Sequence, residues 1–304
     1  MVSWRFTSFK MPNAKIKDYL HLHFIVFIWG FTAVLGKLIT IAALPLVWYR
    51  MLIATIIILI FVKARRFPFT LSGRNGRWMV LAGIAIALHW VTFFMAIKVA
   101  TVSVALATMS TGAFFTAVLE PIWYGRKVIA YEIIFGMIVM IGLAIIFRVE
   151  SQYAFGIGLA LISAFLSAIF SLVNGQLVRS EKPSVISLYE LGIGALFLSI
   201  YLAATGGFTT DLLRLSTNDW LFIFILSSIC TAYAFIASVK VMRHLSPYTV
   251  MLTVNLEPVY GIVLAFLLLG DEEKMSPMFY LGALIILGTV VLNGILKTKD
   301  GLKK

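Results

Sequence analysis

Long apolar stretches separated by short polar breaks dominate the chain, and their length decides the reading. A hydrocarbon core about 30 Å thick takes about 20 residues of apolar helix to cross. Stretches of that size run Tyr19–Leu38, Pro45–Val62, Arg77–Ile97, Thr101–Tyr124 and Ala130–Phe147. A second set follows at Ala154–Val178, Ser184–Ala204, Asp219–Met242, Pro247–Leu269 and Pro277–Leu296. The pattern predicts an all-α polytopic membrane protein with ten transmembrane helices, divided into a five-helix repeat at 19–148 and another at 154–296. Because five is odd, the second set enters the membrane from the other side, which makes the arrangement a 5+5 inverted-topology repeat. A polar segment at 1–18 precedes the first set and a basic tail at 297–304 follows the second; both are expected in the cytoplasm. The break from Arg148 to Tyr153 is too short for a flexible linker, so the two halves are expected to pack as one body.

Composition narrows the function classes, because 61% hydrophobic and 12% charged residues leave no room for a sizeable soluble domain. A net charge of +12 would suit a nucleic-acid partner in a soluble protein. Here the Lys and Arg residues sit at the ends of apolar stretches, where they orient the chain and meet anionic lipid, so no nucleic acid is expected. They cluster before the first stretch (Arg5, Lys10, Lys15, Lys17), after the second (Lys63, Arg65, Arg66, Arg74) and in the tail (Lys297, Lys299, Lys303, Lys304). The opposite side holds only Lys37, Lys98, Arg148, Arg214 and Lys274, which places both termini on the cytoplasmic side; the expected location is a bacterial inner membrane. Cys230 is the one cysteine, so neither an intrachain disulfide nor a cysteine metal cluster can form. The histidines His21, His23, His89 and His244 are scattered in depth, and no Gly-Lys-Ser/Thr phosphate loop occurs; neither metal, cofactor nor ATP hydrolysis is expected. Met1 to Asp18 lacks the short apolar core of a cleaved signal peptide.

Ionisable groups inside apolar helices are costly and mark solute or proton paths. Glu257 stands about ten residues into the ninth stretch, followed by Pro258, and His89 lies at a similar depth in the third. Glu257 is a candidate contact to a substrate amine or a coupling proton, with His89 as a candidate partner, although beside Trp90 the favoured reading of His89 is a packed histidine satisfied by one hydrogen bond. The alternative is a neutral Glu257 hydrogen-bonded to Asn255 or to a carbonyl freed by Pro258. Glu120 and Glu190 lie nearer the cytoplasmic face and suit either an acidic vestibule or pairs with Arg126, Lys127 or Arg179. Arg50, flanked by Trp48 and Tyr49, is either an anion contact or a snorkelling residue of the aromatic belt. Small and polar residues recur at helical spacing in three stripes. They are Thr108, Gly112, Thr116 and Glu120; then Thr249, Thr253, Glu257 and Gly261; and Ser163, Ser167, Ser171 and Asn174. The serine stripe reads as close helix packing, and the two with glutamates as polar paths. Trp29, Trp90, Trp123, Tyr233 and Tyr260 are candidates for an aromatic pocket wall, Trp123 also suiting the interfacial belt.

Internal similarity supports two halves: Gly125, Gly136 and Gly142 answer to Gly270, Gly282 and Gly288. In that register Glu120 is not the counterpart of Glu257, whose position corresponds to the neighbourhood of Gly112. The run Asn255-Leu256-Glu257-Pro258-Val259-Tyr260-Gly261, then Leu267-Leu268-Leu269-Gly270-Asp271 and Gly282 to Gly288, resembles the last two helices of EamA-type transporters of the drug/metabolite transporter superfamily. The opening Phe27-Ile28-Trp29-Gly30-Phe31-Thr32 is similar to the same family, and the resemblance covers the chain as two EamA-like halves. It implies a ten-helix fold, a central cavity and alternating access, in a family whose members move amino acids, other metabolites or drugs, often outward.

The expected function is therefore a secondary active transporter exporting a small organic solute, amino-acid-like or drug-like, and not an enzyme. A flippase for lipid or a lipid carrier on the same fold, and a membrane enzyme acting on a lipid-linked substrate, are the alternatives. The expected partners are a small-molecule substrate and the lipid bilayer. One chain suffices to form the path, so a monomer is expected, with a homodimer as the alternative.

Overall fold

The computed structural model describes residues 15–69, 73–125 and 130–301, and the described residues are helical with short connections. The first half contains α1 (Ile16–Leu38), α2 (Ala43–Ala64), α3 (Gly73–Val99), α4 (Val102–Met109), α5 (Gly112–Tyr124) and α6 (Ala130–Val149). After a 3-10 turn at Ser151–Tyr153 come α7 (Ala154–Leu177), α8 (Pro183–Ala204), the short α9 (Thr210–Leu213) and α10 (Thr217–Ser227). A π-helical turn, Ser228–Tyr233, joins α10 to α11 (Ala234–Val241), followed by α12 (Pro247–Val254), α13 (Glu257–Leu269) and α14 (Pro277–Gly301). Among the described residues, seven helical stretches are long and apolar enough to cross a membrane, and three shorter apolar helices accompany them. Arg126 and Lys127, invoked as partners for Glu120, lie outside the described residues.

Local chemistry sets the helix ends. Ser246 and Ser216 each accept the backbone N–H three residues on, at 3.1 and 3.0 Å, capping α12 and α10. Thr101 does the same for α4 through Val104 at 3.1 Å. Pro183 and Pro247 open α8 and α12, where a missing N–H costs nothing. Gly125 ends α5 with φ 65°, a left-handed turn that glycine adopts without Cβ strain.

Two stretches expected as single helices are each broken near the middle. The fourth parts at Ser110–Thr111 between α4 and α5, and the ninth at Asn255–Leu256 between α12 and α13. Gly112 and Glu257 are thus the first residues beyond equivalent breaks. Irregular backbone at membrane depth is tolerated where it lines a cavity, because lipid cannot satisfy the freed polar groups.

The halves interlock. α3 packs along α7 and α8, α2 along α8, α1 along α13 and α6 along α14. One continuous buried core runs from Leu22 and Ile25 in α1 to Val250 and Ala265 in α12 and α13. Glycines set the closest approaches. A Cβ on Gly282 would lie 2.8 Å from the Gly142 carbonyl oxygen, and one on Gly142 would lie 2.9 Å from that of Gly282. Backbone cannot yield as a side-chain tip can. Gly282→Val is therefore expected to destabilise the α6–α14 pair by about 1–3 kcal/mol. Gly288→Ala, which meets nothing within 4 Å, is expected to be nearly silent. Thermal unfolding of the two variants in detergent, side by side, checks the contrast.

Candidate functional site

The breaks in the fourth and ninth stretches face a cavity with about 90 Å³ of space reachable by the centre of a water molecule. That volume holds several waters, so the cavity is large enough for a small organic solute. One wall is aromatic, built from Trp29, Trp90, Phe93, Phe170 and Phe235. Leu106, Met109, Val250, Met251 and Val254 supply aliphatic surface around the two breaks. The polar groups take the smaller share of the lining and come from Thr32, Arg50, His89, Ser110, Ser238, Asn255 and Glu257, with Ser167, Ser171 and Asn174 on α7. A minority of polar groups in a mainly apolar shell is the usual make-up of a small-molecule site.

Glu257 borders this space at the first turn of α13, and among the described residues its carboxyl takes no hydrogen bond. Gly30 and Gly261 bring it there: a Cβ on Gly30 would stand 2.8 Å from the Tyr260 Cβ, so α1 and α13 approach closely and carry Trp29 and Glu257 to one wall. Arg50 turns inward from α2 and is only 2% exposed. Its Nε–H donates to Thr231 Oγ1 at 2.6 Å, and its guanidinium carbon lies 3.8 Å from the Trp90 ring centroid. Arg50 and Glu257 line the same cavity without forming an ion pair with each other. His89 is held against α7: its Nδ1–H donates to the Ser163 carbonyl at 2.9 Å, and the Ser163 hydroxyl donates to the His89 carbonyl at 2.8 Å. Phe93 stacks on the imidazole with ring centroids 6.3 Å apart. His89 therefore shares the cavity with Glu257 but is bonded to Ser163.

Other candidates fall elsewhere. Glu190 is fully buried, with neither carboxyl oxygen hydrogen-bonded, beside the Asn174 amide and off the cavity wall. Glu120 is buried at 6% exposure within α5. Thr253 donates to the Thr249 carbonyl at 3.0 Å, and Tyr260 packs edge-on against Phe27; neither borders the cavity. Trp123 packs on Trp78 and donates to Gln176, while Tyr233, 45% exposed, meets His21. The serine stripe, read from sequence as packing, gives the cavity Ser167, Ser171 and Asn174 and uses Ser163 to hold His89.

Sequence reasoning passed over three carboxylates that tie elements together at the end where α1 finishes. Asp219, at the start of α10, accepts from the Thr40 N–H and hydroxyl, both at 2.7 Å, beyond the end of α1. Glu273, 1% exposed, accepts from the N–H groups of Val102 and Ser103 at 3.0 and 2.9 Å and from the Ser103 hydroxyl at 2.9 Å. A carboxylate there also suits the positive end of the α4 dipole. Glu150, after α6, accepts from the Ser276 hydroxyl at 2.9 Å beside the start of α14. Each tie joins one half of the chain to the other. The end where α1 begins is tied by more exposed contacts, such as His244 to Asp18 at 3.3 Å and the Arg243 guanidinium to the Glu181 carbonyl at 3.1 Å. Asp219 had a local signal, the Ser216-x-x-Asp219 cap; Glu273 and Glu150 had none, since their partners lie 170 and 126 residues away.

Broken helices around a cavity are an arrangement found where a polar path crosses a membrane, and comparison with known proteins supplies the class. The model of the EamA-like transporter family matches the chain twice, at residues 19–148 and 154–295, and the chain belongs to that family. An "uncharacterized transporter" of Archaeoglobus fulgidus is similar, with 23% identity over 287 residues that cover 91% of this chain and 96% of that protein. A solved structure titled "Crystal structure of protein" superposes with a TM-score of 0.70 at 14% identity, covering 94% of this chain and 99% of the other; at that identity the likeness speaks for the fold alone.

Proposed function

We propose that the protein is a secondary active transporter that moves a small, amine-bearing organic solute outward by alternating access. Membership of the EamA-like family supports membrane transport. The two family matches, each over a half with five apolar stretches, support ten spans in a 5+5 inverted repeat. The excess of Lys and Arg around the termini supports cytoplasmic termini.

The observation that carries the reading is Glu257: a carboxyl at a helix break, bordering an aromatic-walled cavity and without a hydrogen bond among the described residues. A solute ammonium satisfies it, and the aromatic rings add cation–π attraction. The buried carboxylate ties hold together the end where α1 finishes, which fits a cavity that loads from the end where α1 begins, the cytoplasmic side in this orientation. The gradient of a proton or of the solute drives the cycle. Comparing metabolites in medium and cell extract, with and without the protein, tests the proposal. Enrichment of an amine-bearing solute in the medium is expected, and unchanged pools would contradict export. Uptake of a water-soluble amine by reconstituted vesicles separates this function from lipid flipping.

A further inference from the structure

Away from the central cavity, an open apolar groove of about 320 Å³ runs between α2 and α8. Leu59 and Phe69 form one side, and Leu188, Gly192, Ile193 and Leu196 the other. The α8 residues recur at four-residue spacing on one helix face, so the groove follows the helix axis and lies along the acyl chains of a surrounding bilayer. Gly192 gives the groove its depth. A Cβ there would meet only Thr55 Cγ2, at an ordinary 3.5 Å, so the packing of α2 on α8 does not demand a glycine at this point.

Basic side chains stand at one mouth of the groove. Thr55, Leu59 and Lys63 follow at four-residue spacing on α2, which sets Lys63 one turn beyond the groove wall. The segment after α2 then folds back: the Phe67 N–H donates to the Val62 carbonyl at 3.1 Å, and the Tyr189 hydroxyl donates to the Phe69 carbonyl at 2.7 Å. Lys182, immediately before α8, has its Nζ 3.9 Å from the Phe67 ring centroid. Arg66 makes the reversal with φ 51°, where glycine would be free of strain. The strained position thus keeps a cation at the mouth. Lys63, Arg65, Arg66 and Lys182 are exposed, and among the described residues none pairs with a carboxylate. Glu181, next to Lys182, accepts instead from the Asn75 amide at 2.7 Å.

An apolar groove with four cations at its mouth matches an occupant that is hydrocarbon at one end and anionic at the other. A free phosphate has no use for the groove, and a neutral lipid has none for the cations. The mouth lies at the end where α1 begins, the cytoplasmic side in the proposed orientation, and anionic lipid gathers in that leaflet. We propose that α2 and α8 form a binding site for one anionic glycerophospholipid, its acyl chain in the groove over Gly192 and its phosphate among Lys63, Arg66 and Lys182. Since α2 and α8 come from different halves of the chain, the lipid bridges the halves.

Native mass spectrometry of the full chain in detergent, titrated with dioleoyl phosphatidylglycerol or dioleoyl phosphatidylcholine, reads the site as a retained one-lipid complex. Wild type is expected to hold phosphatidylglycerol about tenfold or more tightly, because each nearby Lys or Arg adds to the attraction of an anionic lipid. Gly192→Leu fills the groove and is expected to lose the tight complex, whereas Gly288→Leu, at a position with nothing within 4 Å, is expected to keep it. Replacing Lys63 and Lys182 together by Gln is expected to lower the preference about fivefold or more. A wild type without the preference overturns the proposal, as does a Gly192→Leu protein that retains it or a Gly288→Leu protein that loses it. Displacement of the lipid by an equal concentration of glycerol phosphate also overturns it, since that marks an anion site that needs no groove. If Gly192→Leu fails to fold, the double Gln variant decides: an unchanged preference there overturns the proposal.

Discussion

Glu257→Gln is expected to cut amine transport about ten- to hundredfold with little change in stability. The substitution keeps the size of the side chain and removes only the charge that an ammonium would meet. Hydrogen bonds to charged groups contribute about 1.5–3 kcal/mol, which converts to that range in binding or transport efficiency. The carboxyl makes no hydrogen bond within the described protein, so no internal partner is orphaned when it becomes an amide. The loss should appear in KM for the amine and in Vmax together if Glu257 also carries the coupling proton, and in KM alone if it only binds solute. Transport over a range of pH with both proteins, at equal amounts in the membrane, makes the measurement. Full activity with an unchanged pH profile would remove both roles from Glu257.

The second large effect belongs to the closed end. Glu273→Ala deletes three hydrogen bonds that join the loop after α13 to the first turn of α4. Water can reach the freed N–H groups only if the end opens, so the substitution penalises the closed arrangement more than the open one. At about 1–3 kcal/mol the balance shifts about five- to hundredfold toward opening on that side. Thr32, on the cavity wall of α1, is a suitable reporter. In a Cys230→Ala background, Thr32→Cys is expected to react faster with an impermeant maleimide, added at the Glu273 face, once Glu273 is replaced. An unchanged rate with an intact fold would show that the tie does not govern access. Glu273→Gln, which retains acceptor capacity at one oxygen, should fall between.

Much of this was legible from the sequence, and the failures share a cause. Glu257 stood out because a carboxylate and a proline inside an apolar run have no packing explanation, and the structure puts that residue on the cavity. Trp90 and His89 reach the same wall. Arg50 was open to misreading because Trp48 and Tyr49 flank it and suggest an interfacial belt. Neighbours on a helix diverge by about 100°, however. Trp48 and Tyr49 bond Ser199 and the Leu212 carbonyl, whereas Arg50 turns to Thr231 and Trp90. The helix breaks were hidden for a related reason. Pro121 marks no break in α5, and the gap at Ser110–Thr111 carries no proline. The serine stripe was ambiguous in principle, since small residues permit close packing and expose hydroxyls equally well. Ties such as Glu273 to Ser103 join positions 170 residues apart, and no local pattern encodes them.

The account stands on a cavity that carries solute through the protein with Glu257 as its contact. Counterflow in reconstituted vesicles tests this most directly: vesicles loaded with an unlabelled water-soluble amine and diluted into the same amine in labelled form should accumulate label transiently with the wild type and weakly or not at all with Glu257→Gln. Equal accumulation by the two proteins, or none by wild type above protein-free vesicles, would contradict it.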